Sequence, residues 1–212
     1  MAVGIIRWDD HRLVPWRNGL GTTREIAMDT DPTDPEGRML WRISIASVDQ
    51  DGPFSDFIGY QRIIMLLSGE GMRLDFGRFG STVLDRPFVP ACFDGGWTTT
   101  ATLLGGPVRD LNVMVADHAA AAGVDMLAAG ETRRVIFEGN SHTFLHVLRG
   151  EADAEAGGGR HRLRTGDTLR VGWSELEGAL SYLSDETLVC RIDIDDFTRP
   201  WISDLPEVGR AR

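Results

Sequence analysis

The chain has 212 residues, 42% of them hydrophobic, which is enough for one large or two small domains with a buried core. Its formal net charge of −10 argues against a nucleic-acid partner, because binding a phosphate backbone needs a basic face. All 22 basic residues are arginine, which excludes a Schiff-base or P-loop lysine and leaves guanidinium groups to bind any anion. The apolar runs are too short to span a bilayer, and the first ten residues lack a signal-peptide core. We therefore expect a cytoplasmic protein with no membrane and no nucleic-acid partner; a homodimer is compatible with the sequence.

Short extended runs separated by Gly, Pro and Asp recur along the chain, which is typical of β-sandwiches and barrels. The predicted strands are, in chain order, Leu40–Val48, Gln61–Ser68, Ser81–Leu84, Thr98–Leu104, Leu111–Val115, Val135–Glu138, Thr143–Leu148, Asp167–Val171 and Thr187–Ile194. The alanine-rich segment Asp117–Gly123 is the one segment predicted to be helical, with Gly123 as its stop.

A short internal repeat divides the chain into two similar halves. Met65–Gly71 (MLLSGEG) and His146–Ala152 (HVLRGEA) each run from an apolar strand into a Gly-Glu pair, and Leu163–Leu169 adds a strand, a Gly-Asp turn and a strand. Such elements are similar to the cupin barrel pattern. The sequence therefore predicts an all-β bicupin with two cupin-like β-barrels or sandwiches, over residues 1–115 and 133–212, joined by a linker with a short helix at 116–132.

The segment Trp16–Glu25 (WRNGLGTTRE) concentrates polar side chains just before an apolar stretch. Its glycines allow a turn, and alternation on the extended segment that follows places Thr23 and Glu25 on one face and Thr22 and Arg24 on the other. This pattern suits one wall of a small-molecule site. It is equally typical of a glycine-rich turn that leads into an exposed strand.

Five further segments of the first half place polar residues at strand starts or in tight turns. Each alone is explained by a solvated strand face or a turn aspartate, but together they predict a polar barrel mouth, which is a typical small-ligand site. The candidate ligand-binding residues are Asn18, Thr22, Thr23, Glu25, Arg42, Ser44, Asp51, Ser55, Arg62, Asp94, Asp110 and Asn112.

No metal and no cofactor is predicted. Many cupins hold a metal on a His-x-His pair with a later Glu and His, but no histidine follows the Gly-Glu pair of the first half, and His142 and His146 would stand about 13 Å apart on one strand. The two cysteines, Cys92 and Cys190, lie in apolar segments of separate units. They predict buried, reduced thiols, not a disulfide or a zinc site.

The order and spacing of the motifs closely resemble the HutD/Ves family over roughly residues 5–195. The matching motifs are Trp16–Ile26 (WRNGLGTTREI), Trp41–Ala46 (WRISIA), Asp51–Phe57 (DGPFSDF), Arg62 and Gly106–Met114 (GPVRDLNVM). The resemblance implies a bicupin fold and a regulator of histidine utilisation that senses a pathway intermediate; a related branch is linked to stress response. It implies no particular reaction. Leu20 stands where the family pattern has glycine, which is expected to narrow the pocket mouth.

Residues and resemblance together favour a regulatory protein that binds a small anionic metabolite such as formylglutamate. Arg42 and Arg62 are expected to bind a carboxylate. The residues expected to orient the rest of the ligand, or to select against a wrong one, are Asn18, Thr23, Glu25, Asp51, Asp110 and Asn112. Two alternatives stay open: a metal-independent enzyme with Glu25 or Asp110 as general base and a guanidinium at the oxyanion, or an interaction module with a vestigial pocket. No catalytic residue is assigned.

Overall fold

The computed structural model describes residues 3–16, 19–130, 133–136, 141–172 and 177–197, which fold almost entirely into β-strands. The strands of these residues are β1 (Val3–Ile6), β2 (Arg12–Pro15), β3 (Gly21–Thr30), β4 (Met39–Val48), β5 (Gly52–Pro53), β6 (Tyr60–Ser68), β7 (Met72–Asp75), β8 (Ser81–Leu84), β9 (Pro90–Asp94), β10 (Thr100–Leu103), β11 (Val108–Ala116), β12 (Ala120–Ala128), β13 (Arg133–Ile136), β14 (Ser141–Arg149), β15 (Glu151–Ala156), β16 (Gly159–Arg164), β17 (Thr168–Val171), β18 (Glu177–Tyr182) and β19 (Leu188–Asp196). Helix among them is limited to the 3-10 turns Trp8–Asp10 and Gly77–Phe79. The all-β prediction is confirmed.

The strands form four antiparallel sheets, which pair into two sandwiches. In the first sandwich a six-stranded sheet, β2-β3-β4-β11-β6-β9, packs on a four-stranded sheet, β5-β10-β7-β8. In the second, a five-stranded sheet, β1-β17-β14-β19-β12, packs on β13-β18-β15-β16. In the described part of the chain the sheets do not close into barrels, so each unit is a cupin-like sandwich.

The six-stranded sheet is apolar on its outer face, and this face holds the two sandwiches together. Trp41 and Ile43 of β4 are fully buried in one cluster with Phe144 of β14 and Ile192 of β19. Because side chains alternate along a strand, the residues between them face the interior of the first sandwich. The back of the sheet is therefore core, and its front is free to carry polar side chains.

Two segments cross the expected boundary between the units. Strand β1, from the start of the chain, pairs with β17 of the second sandwich, and Arg7 Nη1 lies 2.6 Å from Asp167 Oδ2. The helix predicted over 117–123 is wrong: residues 117–119 form a turn, and β12 then pairs with β19 along its whole length. Alanine favours a helix only weakly, and the edge of a sheet with unpaired backbone groups overrides that preference.

The two cysteines differ in exposure. Cys190 is fully buried, and burial raises the pKa of its thiol to about 12. Cys92 is exposed, which corrects the expectation of two buried thiols. The reason is its place on β9 at the edge of the six-stranded sheet, where its neighbour Phe93 points inward instead. Both cysteines are free, as predicted.

We expect an aromatic disulfide reagent to label one thiol quickly in the native protein and the second only after unfolding. The exposed Cys92 is accessible, whereas Cys190 is buried and its high pKa suppresses the reactive thiolate. Spectrophotometric counting of released reagent measures this. The Cys92→Ser variant should show no fast labelling, and two fast thiols in the wild type would contradict the assignment.

Replacing Ile43 by alanine should lower the free energy of unfolding by about 2–5 kcal/mol, because it leaves a cavity in the cluster between the sandwiches. The matched change Val83→Ala, at a side chain that is 46% exposed, should stay within about 0.5 kcal/mol of the wild type. Urea unfolding at neutral pH measures both. Equal losses in the two variants would mean that this cluster does not hold the sandwiches together.

Candidate ligand-binding site

The inner face of the six-stranded sheet borders a cavity of about 650 Å³, a volume within the usual range of small-molecule sites. The lining side chains come from five strands of this sheet and from the segment after Gly52. They are Arg12, Val14, Pro15, Trp16, Thr23, Glu25, Arg42, Ser44, Ala46, Pro53, Phe54, Ser55, Phe57, Arg62, Asp110 and Asn112. This cavity is the candidate site.

Strand register explains why polar residues distant in sequence meet on one face. Within each of β3, β4 and β11 the lining residues are two apart, so they share a face, and strand pairing sets them side by side. Two rows result: Glu25–Ser44–Asn112 and Thr23–Ala46–Asp110. Arg24, between the two β3 residues, points away and lies over the Trp8 ring at 4.0 Å, as the alternation predicts.

A third row brings together two guanidinium groups. Arg42 of β4 and Arg62 of β6 both pair with Met114 of β11, from opposite sides. Arg62 is only 6% exposed; its Nε donates to Asn112 Oδ1 at 3.4 Å, and its guanidinium lies 5.0–5.7 Å from three phenylalanine rings. Arg42 donates to the Met114 sulfur at 3.2 Å, and its buried Nε has no hydrogen-bond partner among the described residues.

Burial makes both positive charges costly. It lowers the pKa of Arg62 to about 10, against the opposing effect of Asp110, and it also lowers the pKa of Arg42. Both groups remain charged at neutral pH. A buried charge needs counter-charge and hydrogen bonds, and Arg42 and Arg62 have few of either. An anion in the cavity would supply both.

Asp110 supplies the only fully buried carboxyl group of the cavity lining. It has no exposed surface, and in the described part of the chain neither of its oxygens has a partner at ordinary hydrogen-bonding geometry, although the Asn112 side chain is close enough to favour the ionised form. Burial raises the pKa of this group to about 7, while the Arg62 charge and the Asn112 side chain oppose the rise. A β-bulge between Arg109 and Asp110 shifts the register against β6, and bulges commonly re-aim side chains at binding sites.

The rim of the cavity is held by an ion pair and an aromatic side chain. Arg12 on the edge strand β2 lies 3.1 Å from the Glu25 carboxylate. Trp16 Nε1 donates to Thr23 Oγ1 at 2.8 Å. Gly21 packs against the Ser47 carbonyl and the Trp16 ring with no space for a Cβ, so a glycine is needed there to seat the tryptophan.

The cavity brings together eight of the twelve candidate residues: Thr23, Glu25, Arg42, Ser44, Ser55, Arg62, Asp110 and Asn112. Thr22 lies on the opposite face of β3. Asp51 and Asp94 serve the backbone instead, accepting from Leu103 N and Gly96 N at 2.8 Å each. Asn18 lies outside the described residues.

Several apolar and rim residues of the site are not among the residues predicted from the sequence. Phe54 and Phe57 lie in a segment that is predicted from the sequence only as a polar turn. Aromatic residues beside Asp, Gly and Pro in a loop are themselves an indication of a binding site. Arg12 lies on a strand that the sequence pattern does not reveal. Leu20 does not line the cavity; it packs against Gly52, so it does not narrow the mouth.

The residues present do not fit a transition metal. The cavity offers two carboxylates beside three guanidiniums and neither histidine nor cysteine, and the described residues contain no cluster of three His, Cys, Asp or Glu that could hold a metal. His146 faces away from both sandwich interiors, hydrogen-bonded to Thr168 at 2.8 Å, and the His142 ring packs 5.7 Å from Trp41.

In the described residues, no helix has the length and apolar character that a membrane crossing requires.

Two β-sandwiches in one chain, with a polar cavity in the first, define a bicupin protein. The fold is shared with an oxalate decarboxylase from Bacillus subtilis at a TM-score of 0.63 and 10% identity, over 90% of this chain and 76% of that one. At this identity the likeness shows the fold alone.

The family model of HutD matches residues 8–188, so the chain belongs to the HutD family, which is linked to histidine utilisation. A Pseudomonas putida protein described as an uncharacterized 21.2 kDa protein in the hutC 3′ region is 36% identical over 182 residues, 82% of this chain and 90% of that protein. HutD from Pseudomonas fluorescens superposes with a TM-score of 0.78 at 26% identity, over 92% and 99% of the chains. A conserved Pseudomonas aeruginosa protein of unknown function superposes at 0.81 and 30%, over 92% and 100%.

Replacing Asp110 by asparagine should stabilise the protein more at pH 8 than at pH 5. The pKa of about 7 in the folded state exceeds the ordinary value of 3.8, so the folded protein binds more protons between these limits. The free energy of unfolding of the wild type therefore falls as the pH rises from about 4 to 7. The variant does not show this loss, so its stability relative to the wild type should rise by about 2–3 kcal/mol between pH 5 and pH 8. Urea unfolding at both pH values measures the difference.

The matched control is Asp75→Asn, at an exposed residue whose oxygen accepts from Gly77 N. Its effect on the free energy of unfolding should be the same at both pH values. A pH-independent effect of Asp110→Asn would show that this carboxyl group ionises normally.

Proposed function

We propose that the protein is a regulatory sensor that binds a small anionic intermediate of histidine degradation, such as formylglutamate, in the cavity of the first sandwich. The observation that carries this proposal is the pair Arg42 and Arg62. The buried guanidinium of Arg62 and the half-buried one of Arg42, whose Nε has no hydrogen-bond partner among the described residues, line the same cavity. A carboxylate matches a guanidinium in shape and charge and accepts two parallel hydrogen bonds from it.

The walls of the cavity support binding of an anion. The half-buried aromatic side chains of Phe54, Phe57 and Trp16 line the cavity, and apolar walls lower the local dielectric and strengthen charge–charge attraction. Ser44 and Asn112 offer hydrogen bonds beside the guanidiniums and would orient the uncharged part of the ligand. The net charge of −10 repels anions at long range, so affinity comes from these short-range contacts.

A metal-independent enzyme is a second candidate, favoured by Asp110. A buried carboxyl group with a pKa of about 7 is suited to give and take protons at neutral pH, and the neighbouring Arg62 is placed to stabilise an oxyanion. On this alternative the same cavity binds the same class of small carboxylate and converts it.

Thermal unfolding with a panel of histidine-degradation intermediates, formylglutamate among them, tests the proposal. A rise in melting temperature reports binding to the folded state, and chromatography of the incubated ligand reports turnover. Stabilisation without conversion supports the sensor, and conversion supports the enzyme. Neither effect with any member of the panel would contradict both.

Arg42→Ala should weaken binding of formylglutamate by about 2–5 kcal/mol, roughly 30-fold or more, because it removes one partner of a desolvated charge pair. Isothermal titration calorimetry measures the affinity. Arg42→Lys keeps the charge but not the planar pair of donors, so it should bind with intermediate affinity.

The matched control is Arg164→Ala, at an exposed arginine of β16 in the second sandwich. It should bind like the wild type, and circular dichroism should show an intact fold in all three variants. Equal losses in Arg42→Ala and Arg164→Ala would place the ligand elsewhere.

A further inference from the structure

The charges that line the cavity do not cancel. Five charged side chains take part: Arg12, Glu25, Arg42, Arg62 and Asp110. Arg12 and Glu25 neutralise each other through their ion pair at the rim. The guanidiniums of Arg42 and Arg62 and the carboxyl group of Asp110 are left. The protonation state of Asp110 therefore decides the net charge of the site.

The protonation state of that group fixes how much negative charge the cavity can accept. With Asp110 ionised the lining has a net charge of +1, and with Asp110 neutral it has +2. An uncompensated charge in a buried site is costly, so the ionised form matches a monoanion and the neutral form a dianion.

We propose that the cavity binds a dicarboxylate, and that binding is coupled to the uptake of one proton from solvent by the Asp110 carboxylate. This inference rests on the proposed function, since it concerns the ligand of the same cavity. It adds the coupling to a proton and makes pH a regulator of the affinity for the ligand.

Asp110, not Glu25, is the group that takes up the proton. Glu25 is held by the Arg12 ion pair at the rim of the cavity. Asp110 is fully buried, and neither of its oxygens has a partner at ordinary hydrogen-bonding geometry among the described residues; of the charges facing it, Arg62 is the nearest that stabilises the carboxylate. A ligand carboxylate at Arg62 competes for that support.

Once protonated, the carboxyl group changes from a repelling anion into a hydrogen-bond donor. A neutral group at this position no longer repels a second ligand carboxylate in the cavity that it lines. Little extra energy is needed, because burial already raises the pKa of Asp110 to about 7.

The pH dependence follows by linkage. Below about pH 7 the free protein already has Asp110 protonated, so binding takes up no proton and the affinity is constant. Above that pH, binding must add the proton, and the affinity for a dicarboxylate falls by up to about tenfold per pH unit.

Calorimetry with two matched probes tests the coupling. N-formyl-L-glutamate has two carboxylates, and N-formyl-L-glutamine has the same shape with one of them replaced by an amide. Titrations at pH 6 and pH 8, each in two buffers of different ionisation enthalpy, report the protons exchanged. At pH 8 we expect uptake of about one proton with the dicarboxylate and none with the monocarboxylate; at pH 6 we expect none with the dicarboxylate.

Asp110→Asn mimics the neutral acid permanently. Its affinity for N-formyl-L-glutamate should not depend on pH, with no proton uptake, whereas Asp75→Asn should keep the wild-type dependence. Carboxyl ¹³C NMR of the ligand-free wild type supplies a test that needs no variant. The Asp110 signal, assigned by its loss in Asp110→Asn or by contacts to β11, should titrate near neutral pH.

The outcomes separate the two proposals. Binding of the dicarboxylate at pH 8 without proton uptake, or titration of Asp110 below pH 5, overturns the coupling and leaves the sensor intact. Binding of neither probe at either pH overturns the proposed ligand, and the coupling with it.

Discussion

The structure depends on the difference between the two faces of the six-stranded sheet: one face is apolar and packs on the second sandwich, and the other carries the polar cavity. The back of this sheet must be apolar, because it packs on the second sandwich through Trp41, Ile43 and their partners from β14 and β19. A strand buried on both faces would leave no room for polar chemistry. The inner face of the six-stranded sheet is apolar where it packs on the four-stranded sheet, and polar where it lines the cavity.

This arrangement explains how a fold held together by hydrophobic packing tolerates buried guanidiniums and a buried carboxyl group. Strand pairing places Arg42 and Arg62 on opposite sides of β11, the strand that carries Asp110. The cost of keeping them there appears as shifted pKa values and unfilled hydrogen-bonding atoms. Unsatisfied polar groups of this kind are expected where a protein has kept a site for a ligand at the expense of stability.

The sequence predicts those parts of the fold and site that depend on short-range pattern. Alternation in Trp41–Ala46 assigns the two faces of β4, and the same rule places Thr23 and Glu25 together on β3. Alternation does not predict which strands pair with one another. β12 became an edge strand despite its alanines, and β1 joined the other sandwich. Nor does periodicity separate Asp110, which faces the cavity, from Asp51 and Asp94, whose carboxylates accept hydrogen bonds from backbone N–H groups.

The proposed function depends on Arg42 and Arg62 binding the carboxylate of a small ligand on the front of this sheet. A crystal structure of the protein grown with formylglutamate tests it most directly. The account predicts a ligand carboxylate within hydrogen-bond distance of one or both guanidiniums, with Asp110 close to a ligand oxygen. A ligand seated in the second sandwich, or one whose carboxylates face solvent while its apolar part fills the cavity, would contradict it.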